Sequence, residues 1–159
     1  MNKSGQIMPT DSIAVSPTLM WTDDFLLGHC GIDASHTEFV DQMVRLQGAD
    51  DRAIPDCFDG FVTHLRTHFE AENQLMLDTD FPPRQCHMDE HAAVLQSVLE
   101  VQQSLKSGRL NVARELICAL AEWFPKHTQH LDSALAHWAN KKRLGGKPVV
   151  IKRGLKLHA

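Results

Sequence analysis

From Asp33 onward the chain repeats apolar positions at intervals of three and four, the spacing that lines one face of an α-helix. In the first run Phe39, Met43 and Leu46 follow His36, and Gly48 ends it. Asp33 stands where a helix N-cap belongs. The second run reads Phe58, Phe61, Leu65, His68, Glu72 and Leu75, with Pro55 confined to its first turn and Pro82–Pro83 as its stop. The third, from about Arg84, reads His87, His91, Val94, Val98, Val101 and Leu105, and Gly108 closes it. The fourth, from about Arg109 to Lys142, reads Leu116, Leu120, Trp123, His127, Leu131, Ala134 and Trp138, with Gly145, Gly146 and Pro148 beyond. No alternating strand pattern of useful length occurs. The expected fold is all-α, an up-down-up-down four-helix bundle. Residues 1–20 form an extended, Pro- and Ser-containing N-terminal arm, 21–143 the bundle, and 144–159 a basic C-terminal tail. A lead-in around Gly28 and Gly31 is expected to pack on the body through Trp21, Phe25 and Ile32.

The seams are interrupted where they should be apolar. His68 and Glu72 stand four residues apart, and so do His87 and His91. On a helix such pairs lie roughly 40° apart around the axis and share a face. Two helices joined by the short break DTDFPP therefore aim three imidazoles and one carboxylate into one gap. A lone His on an apolar face is more often a satisfied core residue. A buried cluster of imidazoles with a carboxylate is costly unless it is paired or binds metal. Imidazole with a little carboxylate suits iron, zinc or copper, and spacing alone does not choose among them. The carboxylate-rich di-iron bundles need two E-x-x-H motifs, and this chain has none.

Composition sharpens this picture at three points. Ten histidines in 159 residues is a high count for a scarce residue that is also the commonest metal ligand. Four cysteines (Cys30, Cys57, Cys86, Cys118) form no C-x-x-C pair, which argues against a thiolate metal site. With no secretory segment and no run of 18 apolar residues, a cytoplasmic protein with reduced thiols is expected. Seven Lys or Arg and no acid lie between Lys141 and Ala159, so residues 1–140 carry −11 of a formal net charge of −4. Such a tail would attract an anionic partner, although a solvated tail is the plainer reading; no nucleic acid or membrane partner is expected, and the chain is expected to be a monomer.

Four stretches in order carry a specific resemblance: D-A-S-H at 33–36, H-F-E-A-E-N-Q-L-M at 68–76, H-M-D-E-H at 87–91 and W-F-P-K-H-T-Q-H-L-D at 123–132. From Trp21 to about Trp138 the chain resembles a bacterial hemerythrin. The resemblance implies two iron ions in the bundle, joined by an oxo or hydroxo bridge. It assigns His87, His91 and His127 to one iron, and His36 and His68 to the other, which keeps an open position for O2. Glu72 and Asp132 would bridge the pair. Asp132 enters through the resemblance alone, because it lies five residues from His127, roughly 140° around an ideal helix.

Large apolar groups beside these positions, Phe69, Met76, Trp123 and Phe124, are suited to excluding water. The chain departs from the family pattern at Phe124 and Thr128, where Leu and Ile are usual, at Asn73, where an acid is common, and at Pro125 inside the fourth helix. His29, His64, His130, His137 and His158 fall outside the implied ligand set, and His64, one turn before His68, is the best candidate to support a ligand. The implied function is reversible O2 binding by a carrier, store or sensor rather than catalysis. The alternative is a di-iron enzyme that reduces peroxide or nitric oxide, or oxidises Fe(II). Since the implied ligands end at Asp132, removing residues 145–159 should leave iron content and the O2 spectrum unchanged. An altered O2 spectrum in the truncated chain would show that the tail packs on the site.

Overall fold

The computed structural model describes residues 17–145. Five helices follow the predicted runs: α1 (Cys30–Gly48), α2 (Ile54–Asp78), α3 (Arg84–Lys106), α4 (Leu110–His127) and α5 (Ser133–Arg143). A π-helical turn, Thr128–Asp132, joins α4 to α5 without a break, so these three pieces form the fourth rod of a four-helix bundle. Each rod packs on the next, and α4 closes the ring against α1. No helix among the described residues is long and apolar enough to cross a membrane. Residues 1–16 of the arm and 146–159 of the tail lie outside the described residues, and with them His158.

The first helix begins earlier than its composition suggests. The cap is His29, whose Nδ1 accepts from the Ile32 N–H at 3.4 Å, and not Asp33. Asp33 instead receives the N–H groups of Leu27 at 2.7 Å and Gly28 at 3.1 Å. Gly28, with φ +77°, turns the chain sharply enough for one carboxylate to take both. The lead-in is also less extended than expected, since Asp23–Phe25 forms a 3₁₀ turn that buries Phe25. Trp21 is not an anchor of the core: it remains 38% exposed with its edge against Phe25. Ile32 is buried, but inside α1. Ahead of the lead-in, Gln47 clasps the chain by accepting from the Leu19 N–H and donating to the Pro17 carbonyl.

The inner faces of α2 and α3 follow the expected register. Phe58, Phe61, Leu65, His68 and Glu72 are buried, and so are His87, His91, Val98, Val101 and Leu105; Leu75 and Val94 are half-buried, and Met76 takes the innermost place near the end of α2. Gly108, with φ +77°, ends the third rod as predicted. The fourth rod departs. Its buried residues are Ala113, Ile117, Leu120, Ala121, Phe124 and His127, then Thr128, Asp132, Leu135, Ala136 and Ala139. Leu116, Trp123, Leu131 and Trp138 are only half-buried, and Ala134 is exposed. For Leu131, Ala134 and Trp138 the cause is the π turn, which takes up an extra residue and rotates everything after it relative to a continuous α-helix. The helix runs on through Pro125, which stands just ahead of that turn and leaves the Ala121 carbonyl without its i+4 donor.

The buried apolar residues form two separate cores. The larger fills one end with Phe39, Phe58, Phe61, Leu65, Val98, Leu120 and their neighbours. The smaller closes the other end with Ile32, Met76, Phe81, Leu135 and Ala136. Between them lies a layer of buried polar side chains: His36, His68, Glu72, His87, His91, His127, Thr128 and Asp132.

Candidate metal centre

Every rod contributes to the polar layer. His36 comes from α1, His68 and Glu72 from α2, His87 and His91 from α3, and His127 from the last turn of α4. The π turn brings in Asp132. The N–H of Ser133 donates to the carbonyl of Thr128, an i→i+5 bond, and a turn closed that way returns residues five apart to the same face. His127 and Asp132 therefore point together, with Nε2 and Oδ1 at 3.1 Å. All seven residues that the sequence nominated are brought into one cluster, each at most 3% exposed.

The donors divide into two groups. His87, His91 and His127 converge, with Nε2 of His127 at 3.2 Å from Nε2 of both other rings. His36 and His68 face each other across 5.7 Å between ring centroids. Each carboxylate straddles the divide. Asp132 turns Oδ1 toward His87 and His127, both at 3.1 Å, and Oδ2 toward His36 at 3.0 Å. Glu72 turns Oε2 toward His91 at 3.3 Å and His87 at 3.8 Å, and Oε1 toward His68 at 3.0 Å and His36 at 4.0 Å.

Hydrogen bonds on the far side of three rings fix what faces inward. His36 Nδ1 lies 2.9 Å from the Phe25 carbonyl, His91 Nδ1 2.9 Å from Asn73 Oδ1, and His127 Nδ1 2.8 Å from Glu90 Oε1. Each partner is an acceptor, so each Nδ1 carries the proton, and a neutral ring then presents a bare Nε2 lone pair to the centre. Oε2 of Glu72 and Oδ1 of Asp132 have no hydrogen-bond partner. Converging lone pairs and orphaned carboxylate oxygens, all buried, repel one another unless positive charge sits among them. This donor set fits metal cations.

The pull of the two carboxylates on positive charge also shows in the titration of the protein groups alone. Burial pushes the Glu72 carboxyl up, as does the charge of Asp132, yet His68 holds it down at about 2. Burial also raises Asp132, but the His127, His36 and His87 rings beside it keep it well below the usual carboxylate range. Burial lowers His36 and His127, and their bonds to Asp132 more than reverse this, so both end above the ordinary imidazole value. His91 is lowered, chiefly by burial.

Aromatic rings seal one side of the cluster. Phe69 stacks on His91 with centroids 4.0 Å apart, Trp123 stacks on His127 at 4.4 Å, and Phe124 stands edge-on to His36 at 5.3 Å while stacking on Phe39 at 4.0 Å. Thr128 is fully buried within the layer, and its hydroxyl has no partner. His64 lies against His68 and pairs with Glu38 at 3.2 Å, whereas His130 and His137 are exposed. All four cysteines are free.

Three orienting groups were missed from the sequence. Phe25 acts through a backbone carbonyl, which no side-chain pattern reveals. Glu90 sits inside H-M-D-E-H and accepts from both His127 and Trp123 Nε1, partners on another rod. Asn73 stands out in the sequence only as an unusual neighbour of Glu72, and its role is to hold His91.

A helical bundle with five buried imidazoles and two straddling carboxylates is built to bind cations, and comparison with known proteins narrows that class. Residues 31–139 match the family model of the Hemerythrin HHE cation binding domain, and the chain belongs to the hemerythrin family. A bacteriohemerythrin of Ralstonia nicotianae is 32% identical over 122 residues, covering 77% of this chain and 89% of the relative. Bacteriohemerythrins of Stenotrophomonas maltophilia and Pseudomonas aeruginosa are 26% and 28% identical, covering 74% and 72% of this chain and 79% and 77% of theirs. No solved structure matches significantly.

The π turn yields a direct test. Inserting one alanine after Gln129 should put Asp132 six residues from His127 and swing it by about 100° away from that ring. Circular dichroism should stay helical while bound metal falls to half or less, and Asp132→Asn should lower it without altering the backbone. Full metal content in both variants would remove Asp132 from the ligand set.

Proposed function

We propose that the chain binds O2 reversibly at a di-iron centre and serves as an oxygen carrier, store or sensor. The observation that carries this reading is the unequal division of donors around two shared carboxylates. His87, His91 and His127 with one oxygen each from Glu72 and Asp132 would hold one iron. His36 and His68 with the other two oxygens would hold the second iron with one imidazole fewer, which leaves room there for O2. Iron bound there would supply the electrons that hold O2 and recover them on its release. The protein's part is to keep the open position dry, with Phe69, Trp123 and Phe124 as the apolar wall. Membership in the hemerythrin family and the names of the bacteriohemerythrin relatives support the same reading.

The test is metal analysis with visible spectroscopy of the anaerobically reduced protein, before air, after air and again under vacuum. Two irons per chain and an absorption band that appears with air and disappears under vacuum are expected. One iron, or a colourless zinc centre, would overturn the reading.

One observation favours the alternative, a di-iron enzyme that reduces peroxide or nitric oxide or oxidises Fe(II). The unpartnered Thr128 hydroxyl is a proton donor inside the polar layer. A band that forms but never reverses, with net consumption of O2, would select the enzyme. The same hydroxyl should make the oxygenated protein oxidise faster than a Phe124→Leu, Thr128→Ile variant, because a proton donor helps O2 depart in reduced form. The decay rate of the oxygenated band in air measures this; equal decay, or faster decay in the variant, would place Thr128 outside the reacting pocket.

A further inference from the structure

A cleft of about 350 Å³ opens between the start of α1 and the end of α2, and Glu72 lies on its floor. The aromatic wall stands beside His36, His91 and His127, whereas this cleft is lined differently. Ile32 and Leu75 form its sides, exposed Ala71 and Asp78 its rim, and the half-buried His29 ring its mouth. Asp78 is solvent-exposed and lies two turns or less from the buried carboxylate on the same helix. At the floor, the Glu72 side chain is only 3% exposed, and its Oε2 has no hydrogen-bond partner. Glu72 is also the residue that belongs to both donor groups.

We infer that this cleft is the path by which a divalent metal ion reaches the centre. The inference rests on the metal-binding reading above and concerns how the site is filled. A divalent ion is strongly hydrated and passes an apolar aromatic layer poorly, because each water it sheds must be replaced by a donor. The cleft offers donors in sequence: carboxylate and imidazole at the mouth, then the Glu72 carboxylate at the floor. From Glu72 an ion has the three-imidazole group on one side and the two-imidazole group on the other, so a single path can fill both. The acidic excess of residues 1–140 draws cations toward this body, and a carboxylate at the rim focuses them on the mouth.

The experiment is stopped-flow uptake of Co(II), read by its d–d absorption, into full-length metal-free protein. Ala71→Leu narrows the rim. Asp78→Lys reverses the rim charge at a helix C-terminus, where a cation is well tolerated. Ala93→Leu, an exposed position on α3, is the control. Uptake should slow about tenfold in Ala71→Leu and in Asp78→Lys, the lower end of what electrostatic steering supplies, with the final spectrum and metal content unchanged. Salt should slow the unmodified chain and the control but not Asp78→Lys. Wild-type uptake rates in both rim variants would overturn the path, as would a reduced final metal content reached at the wild-type rate. Failure of the unmodified chain to take up Co(II) would overturn the metal-binding reading itself, and the path with it, whereas slow rates in the control alone would overturn only the path.

Discussion

Two carboxylates are buried at the centre of this bundle, and their negative charge must be met. Glu72 and Asp132 are within 3% of complete burial, and an isolated carboxylate in such a place is prohibitively costly. Five imidazoles surround them, and the far-side bonds of His36, His91 and His127 turn lone pairs inward rather than protons. The layer is therefore arranged for positive charge from elsewhere. Other features follow from that need. All four rods must reach the layer, the fourth must alter its pitch to do so, and groups outside the layer must hold the rings at fixed angles.

The readable part of the site was the part written in helical period. His68 with Glu72, and His87 with His91, share faces because four residues make nearly one turn, so α2 and α3 could be aligned from spacing alone. His127 fell on the apolar seam of the fourth run for the same reason. Asp132 could not be found this way, since a π turn breaks the very rule that was being applied, and only resemblance to a family supplied it. The same turn misplaced Leu131 and Ala134, which an unbroken helix would have pointed inward. At the start of α1 the error was chemical. Asp33 is the better N-cap by composition, but the turn at Gly28 gave its carboxylate two other donors and left the cap to His29. The orienting contacts of Phe25 and Glu90 cross between distant parts of the chain, so they become visible only once the rods are assembled.

The surroundings of the layer are asymmetric. On the side of His91, His127 and His36, stacked rings present faces with little polarity, and a small neutral molecule meets less resistance there than an ion does. Between α1 and α2 a cleft reaches Glu72 and carries polar groups at its edge. Neutral and charged visitors would thus meet different surfaces of one centre, and water could be kept from one side without sealing the other to metal.

The division of the interior into two cores bears on the lifetime of the protein. Phe81, Met76 and Leu135 close one end, the phenylalanine-rich cluster fills the other, and the layer between them offers little apolar adhesion. Bound cations would act there as a keystone, joining two half-interiors into one cooperative unit. A chain that has lost its ions has lost that joint, and the smaller end, with few apolar residues of its own, becomes the first place to open. Proteases act on such openings. Abundance of the folded chain would then follow the supply of metal, so that a cell short of that metal would clear the empty protein and keep the filled one.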